Sequence, residues 1–186
     1  AAASHCSPAT ARFVAIVDEV AKQHGRARLQ LVNERVNAAI RYTSDIKQWR
    51  QLDRWSVPLD RRHKGSFDTG MGDCEDYAIA KYVALRGAGT PVRDLKLLIV
   101  RDTTAGDYHA VLAVRQNGRW LLLDNRWRRL IEDTEAHFFK PLFALNAAGV
   151  ERFAATGGSR PRLKHIAKTT ERTVVAGVAG ATRGYD

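Results

Sequence analysis

Hydrophobic positions recur with two different periods along the chain, and the change of period divides it. Phe13, Ile16, Val17 and Val20 repeat every three or four residues, as on one stripe of a helix. Ser7 and Pro8 stand before them as N-cap and first helical residue, and Gly25 closes the segment. A second amphipathic helix is predicted over RARLQLVNERVNAAIRY, residues 26–42, with Leu29, Val32, Val36, Ala39 and Ile40 inward. A long polar connector, residues 43–72, follows it; a connector of that length in a compact domain is commonly functional. Helical character returns from Cys74 to Arg86, with Asp73 placed to cap it. Gly87 and Gly89 stop this helix and Pro91 prevents its return.

Beyond Pro91 the apolar runs shorten to strand length. LKLLIVR (95–101), HAVLAVR (109–115) and RWLLLDN (119–125) read as strands, the last two joined by a tight turn at Asn117-Gly118. LFALNAAGVERF adds a last strand and turn. After Gly157 the periodicity fades into small and basic residues. The expectation is an α+β fold with N-terminal helices packed on an antiparallel sheet. One domain is expected over residues 7–156, between a flexible N-terminus at 1–6 and a basic, flexible tail at 157–186.

Composition narrows the class. With 186 residues, 45% hydrophobic and 27% charged, the chain has an ordinary globular make-up. Its longest apolar run, Leu95–Val100, is far too short to cross a bilayer, so the chain is expected not to be transmembrane. The net charge is +10, yet the arginines are dispersed and no basic block or aromatic-basic motif appears; nucleic acid is not expected as a partner. The opening AAASHCSPAT lacks Met and is rich in small residues, as after removal of an export signal. Cys6 and Cys74 are read as two free thiols.

The chemistry gathers around Cys74. A thiol between Asp73 and Glu75, with Asp76 next, should be held protonated by its neighbours. Taken alone, Cys74 is a nucleophile, a metal ligand or a small buried residue. The hairpin bears on that choice. With Gln116 opposite Arg119, the register carried outward sets His109 opposite Arg126 and Asp124 opposite Val111, one diagonal step from His109. An imidazole and a carboxylate so placed form the orienting half of a nucleophile triad, and a helix N-terminus adds a positive dipole at Cys74. Successive helix positions diverge by about 100°, so Asp73 and Glu75 are expected to point away from the sulfur. Asp76 is expected to face solvent or to act as a helix-start charge.

GDCEDYAIAKYVAL, with HAVLAVR, WLLLDNR and the upstream RYTSDIKQW, resembles the bacterial transglutaminase-like cysteine proteinases, the LapG-type periplasmic adhesin proteases. The resemblance implies a papain-like or transglutaminase-like fold and a triad in which Cys74 is nucleophile, His109 base and Asp124 orienting acid. It implies a periplasmic endopeptidase that cuts a large surface adhesin near its N-terminal retention region, beside two alanines, releasing it and dispersing biofilm. It also implies control by an inner-membrane, LapD-type receptor for cyclic-di-GMP, and dependence on Ca²⁺ held by the acids flanking the nucleophile, here Asp73 and Glu75. Calcium takes six to eight hard oxygen ligands, and Asp53 is a third candidate contributor. Two other functions use the same features: a transglutaminase-type acyltransferase, in which an amine replaces water, and a non-catalytic binding module.

Overall fold

A computed structural model describes residues 8–56 and 70–153. The expected N-terminal segment 1–6, the tail 157–186, Cys6 and most of the second half of the connector lie outside the described residues.

The chain begins with two helices, α1 (Pro8–Ala21) and α2 (Gly25–Ala39). Gly25 does not close the first helix but opens the second, with φ +58°, a conformation that favours glycine. The inward stripe of α2 is Leu29, Val32, Val36 and Ala39, as the periodicity predicts. The helix stops earlier than expected, because Ile40 turns extended and starts β1 (Ile40–Tyr42). This strand pairs in parallel with β2 (Gly70–Gly72), setting Tyr42 beside Gly72. Between them the connector forms one short helix, α3 (Asp45–Trp49), ended by Arg50 in the left-handed region. Helix α4 (Cys74–Gly87) packs on α1 and α2. Gly87 allows the close approach to α1: a Cβ there would lie 2.9 Å from Val17 Cγ1.

A six-stranded antiparallel sheet follows. Its strands are β3 (Leu95–Asp102), β4 (Asp107–Gln116), β5 (Arg119–Leu123), β6 (Ile131–Glu132), β7 (Phe139–Asn146) and β8 (Gly149–Arg152), in the order β6-β5-β4-β3-β7-β8. The C-terminal segment therefore supplies two strands, where one strand and a turn were expected. Alternation sorts the side chains into two cores. Leu95, Leu112, Val114, Leu121 and Leu123 meet the helices. Leu98, Val100, Val111, Ala113 and Leu122 face away and are covered by Trp120, Phe139 and Phe153. The architecture is α+β, helices on one face of an antiparallel sheet, as expected.

Strand β4 lies inside the sheet and its residues 109–114 are buried. The β4–β5 hairpin has the predicted register, Gln116 opposite Arg119 through Leu112 opposite Leu123. Pairing ends there. Arg126 is not brought opposite His109, and Asp124 leaves the strand as the first residue of a loop.

Candidate active site

Cys74 is the first residue of α4, delivered by β2. Gly72 is required by this turn: a Cβ would fall 2.5 Å from Asp76 Oδ2 and 2.6 Å from Asp76 Cβ. The half-buried thiol sits against the N–H of Ala110, the residue after His109, so α4 presents its N-terminus to the start of β4. His109 and Asp124 are both fully buried, with Nε2 and Oδ1 2.9 Å apart. Asp124 Oδ1 also accepts the Arg126 backbone N–H at 2.9 Å. The Arg126 side chain in turn ties this loop to both ends of the β3–β4 turn, at 2.9 Å from Asp102 Oδ2 and 3.0 Å from Asp107 Oδ2. Phe139 flanks the imidazole at 5.7 Å between ring centres. Nδ1 of His109 has no hydrogen-bond partner among the described residues. With the proton on Nε2 directed to Asp124, Nδ1 remains a free acceptor.

The acids around Cys74 are not arranged as the helical angle suggested. Glu75 does not point away: its Oε2 lies 3.3 Å from Cys74 Sγ, because buried α4 leaves its second residue no solvent to turn toward. The thiol is pushed up to about 12, first by burial and then by the Glu75 charge, while the Ala110 N–H pulls the other way. Asp76 does not face solvent either. It is fully buried, accepting the Ser56 N–H at 2.7 Å and the Asp73 N–H at 3.3 Å.

Asp45 is the residue that sequence reasoning missed. It lies in the RYTSDIKQW segment and is 1% exposed, an unusual state for a carboxylate outside a pair. Its backbone N–H donates to Asp73 Oδ2 at 3.2 Å, and its Oδ2 accepts the Arg54 N–H. Asp45, Asp73 and Asp76 bring ligand oxygens within 4.8 Å of one another, and so do Asp45, Asp53 and Glu75. Exposed Asp53, Asp73 and Glu75, the three expected ligands, are thus gathered around an Asp45 that was not expected, joined by Asp76. The signal that could have found Asp45 is an acid following Ser44 at the start of a short helix inside a segment already singled out by resemblance.

A hard cation fits this set. Asp45 Oδ1, Asp73 Oδ1 and Glu75 Oε1 are buried and accept no hydrogen bond among the described residues. Burial raises the Asp45 carboxyl above its usual range, Asp76 to about 6, and Glu75, burdened further by Asp73, to about 8. Crowded carboxylates with orphan oxygens are what a calcium ion resolves.

Residues 2–141 match the family model described as bacterial transglutaminase-like cysteine proteinase BTLCP. A calcium-bound LapG of Legionella pneumophila is similar at 26% identity, covering 84% of this chain and 85% of that one with a TM-score of 0.66. An EGTA-treated LapG of the same organism is similar at 25% identity over 87% and 86%, with a TM-score of 0.67. No curated protein matches.

Proposed function

The chain belongs to the bacterial transglutaminase-like cysteine proteinase family, and from that premise we propose that it is a calcium-dependent cysteine endopeptidase acting through Cys74, His109 and Asp124. The observation that carries this is the buried His109–Asp124 pair with its free Nδ1, next in the chain to Ala110, whose N–H meets the Cys74 thiol. His109 Nδ1 takes the thiol proton and Asp124 stabilises the imidazolium; the sulfur attacks a peptide carbonyl carbon. The C–N bond breaks as the imidazolium protonates the leaving amine, giving a thioester. Water, deprotonated by His109, then cleaves the C–S bond and returns the thiol.

Asp45, Asp73, Glu75 and Asp76, with Asp53 at the rim, are the residues that would hold calcium. When bound, it supplies positive charge against the carboxylate that otherwise opposes the Cys74 thiolate. The calcium-bound and EGTA-treated states of the similar LapG support a metal role here. The substrate proposed is the N-terminal region of a large exported adhesin, cut at a pair of alanines so that the adhesin is released and biofilm disperses. Exposed aromatic side chains stand next in sequence or register to site residues: Tyr42 opposite Gly72, Tyr108 before His109, and Trp127 in the loop after Asp124. They suit a short apolar segment lying over the site. The proposed setting is the periplasm, and the proposed regulator is an inner-membrane receptor for cyclic-di-GMP. Among the described residues no helix is long and apolar enough to cross a membrane.

The test is incubation of the protein with the N-terminal region of the host's exported repeat adhesin, with calcium and with EGTA. Expected are two fragments whose new terminus maps between alanines, only with calcium and not with Cys74→Ala. An intact substrate, or a fully active Cys74→Ala, would sink the proposal. Incorporation of a labelled amine without fragments would assign acyl transfer instead.

A further inference from the structure

Two acids face each other at the mouth of the hairpin that carries His109. Asp102 ends β3 and Asp107 begins β4, and the register sets them directly opposite. Like charges so placed repel, and Asp102 is 6% exposed. Its Oδ1 is taken up by the turn, accepting the Thr104 N–H at 2.8 Å and the Ala105 N–H at 3.1 Å. Its Oδ2 meets Arg126 Nη1 at 2.9 Å, and Asp107 Oδ2 meets Arg126 Nη2 at 3.0 Å. One guanidinium therefore bridges the pair. Alternate residues of a strand share a face, so Asp107 stands on the face of His109, two residues before it. Asp102 shares that face, being opposite Asp107 as Val100 is opposite His109.

The loop that carries Asp124 needs such a tie. Pairing of β4 with β5 ends at Leu112 opposite Leu123, short of His109, so the ladder itself does not set Asp124 against the imidazole. Asn37 Nδ2 donates to the Asp124 carbonyl at 3.0 Å and Asn33 Nδ2 to the Trp127 carbonyl at 2.9 Å. Those contacts fix the loop to α2, not to β4. Arg126 makes the connection to β4. Its backbone N–H donates at 2.9 Å to Asp124 Oδ1, the oxygen that meets His109 Nε2, while its side chain grips the strand at Asp107.

Resting on the proposed triad, we infer that Arg126 is a positioning residue for Asp124: its guanidinium, forked over Asp102 and Asp107, fixes the loop on β4 so that its own N–H and His109 Nε2 converge on one carboxylate oxygen. The Asp102 arm is the stronger one. That side chain is 9% exposed against 50% for Asp107, and a pair open to water is screened. With the fork cut, Asp124 is still attached to α2, but its Oδ1 is no longer aimed. The imidazole it orients then loses its fixed tautomer.

The experiment uses the full chain with calcium and follows alkylation of Cys74 by iodoacetamide, read by mass spectrometry on the Cys74 peptide so that Cys6 does not contribute. Arg126→Gln keeps the backbone N–H and removes the fork. It should slow alkylation by about 10–100-fold, the order lost when a group at a reacting centre shifts by about 1 Å. The ¹⁵N resonances of the His109 ring should move from a single Nε2–H pattern toward the average of the two tautomers. Asp102→Asn should slow alkylation more than Asp107→Asn does, and adding it to Arg126→Gln should slow the reaction no further. Parent-like alkylation and ring resonances in Arg126→Gln overturn the inference even if the melting temperature falls, since an architectural ion pair would do no more than that. Asp102→Asn carries the same readouts should Arg126→Gln fail to fold. In an Asp124→Ala background Arg126→Gln should add no slowing, and an equal slowing in both backgrounds overturns the inference. If Asp124→Ala itself reacts at the parent rate, the triad fails and takes the inference with it, a result distinct from failure of Arg126 alone.

Discussion

Two groups of buried polar side chains flank Cys74, and they are completed differently. His109 and Asp124 satisfy each other at 2.9 Å, and the Arg126 N–H adds a second donor to the same oxygen. The carboxylates of Asp45, Asp73, Glu75 and Asp76 are complemented only in part: Asp76 accepts two backbone N–H groups, and Asp45 and Asp73 accept through one oxygen each. Three of their oxygens are buried without a donor, and the proton affinities of Asp45, Glu75 and Asp76 rise, burial being the first cause of each. One site is closed by the protein's own residues and is ready for proton transfer. The other is open in charge and is finished by a cation from outside. Cys74 lies between them, with Ala110 N–H on one side and Glu75 on the other.

The largest expected effect breaks the closed side. Cys74→Ala should lower adhesin cleavage by more than about 10⁴-fold, and Asp124→Ala by about 10³-fold or more, since members of such a unit act together. Cleavage assays under saturating calcium, with circular dichroism confirming the fold, check this; retained activity of Asp124→Ala would separate it from the imidazole it contacts.

The next effects act on the open side. Asp45→Asn should weaken calcium binding by roughly 10–100-fold, the range seen when a group supporting a metal site is lost. Isothermal titration calorimetry measures it, and the His109–Asp124 pair should be untouched in the calcium-saturated protein. Glu75→Gln should speed Cys74 alkylation in EGTA above about pH 8, where Glu75 is ionised and its charge disfavours the thiolate. A rate equal to the parent's would leave burial and Asp73 as the brakes.

A pH series sharpens the contrast. Glu75 and Asp76 have folded values raised to about 8 and about 6 from 4.5 and 3.8. Each contributes stability to the metal-free protein that is fully present below its unfolded value and is lost as pH rises through the folded one. Melting temperature in EGTA should therefore fall from about pH 4 toward pH 8, whereas calcium affinity should rise over the upper part of that interval as protons cease to compete. A flat melting curve in EGTA would contradict the crowding.

The smallest effect tests the hinge between the sites. Gly72→Ala must displace the Asp76 side chain, at a cost of about 1–3 kcal/mol typical of overpacking. Chemical denaturation gives that cost. Calcium affinity should drop as well, while Asp124-dependent behaviour should not change.

The same contrast runs through what the chain's residues disclose in order. The closed site was legible because its parts are local. Asn117-Gly118 sets a two-residue turn, the turn sets a register that carries Leu123 opposite Leu112, and Asp124 reaches His109 from the loop that follows at once. The error was small, a ladder that ends one residue before Asp124. The open site was legible only where it is contiguous, at Asp73 and Glu75. Asp45 was missed, and Asp76, read as solvent-facing or as a helix-start charge, is the second of these, buried in a capping box with Asp73; the burial of both depends on connector residues folding back onto the start of α4, which no local period records.

The sequence by itself determined the helix that begins at Cys74, the hairpin and the pairing of His109 with Asp124, since caps, turns and strand alternation act over a few residues. Only the tertiary structure decided which way the acids face, that Glu75 touches the thiol, and that Asp45 joins the cluster. Those outcomes follow from long-range packing, where burial in a low-dielectric interior, and not spacing along the chain, sets what each charged group must find as a partner.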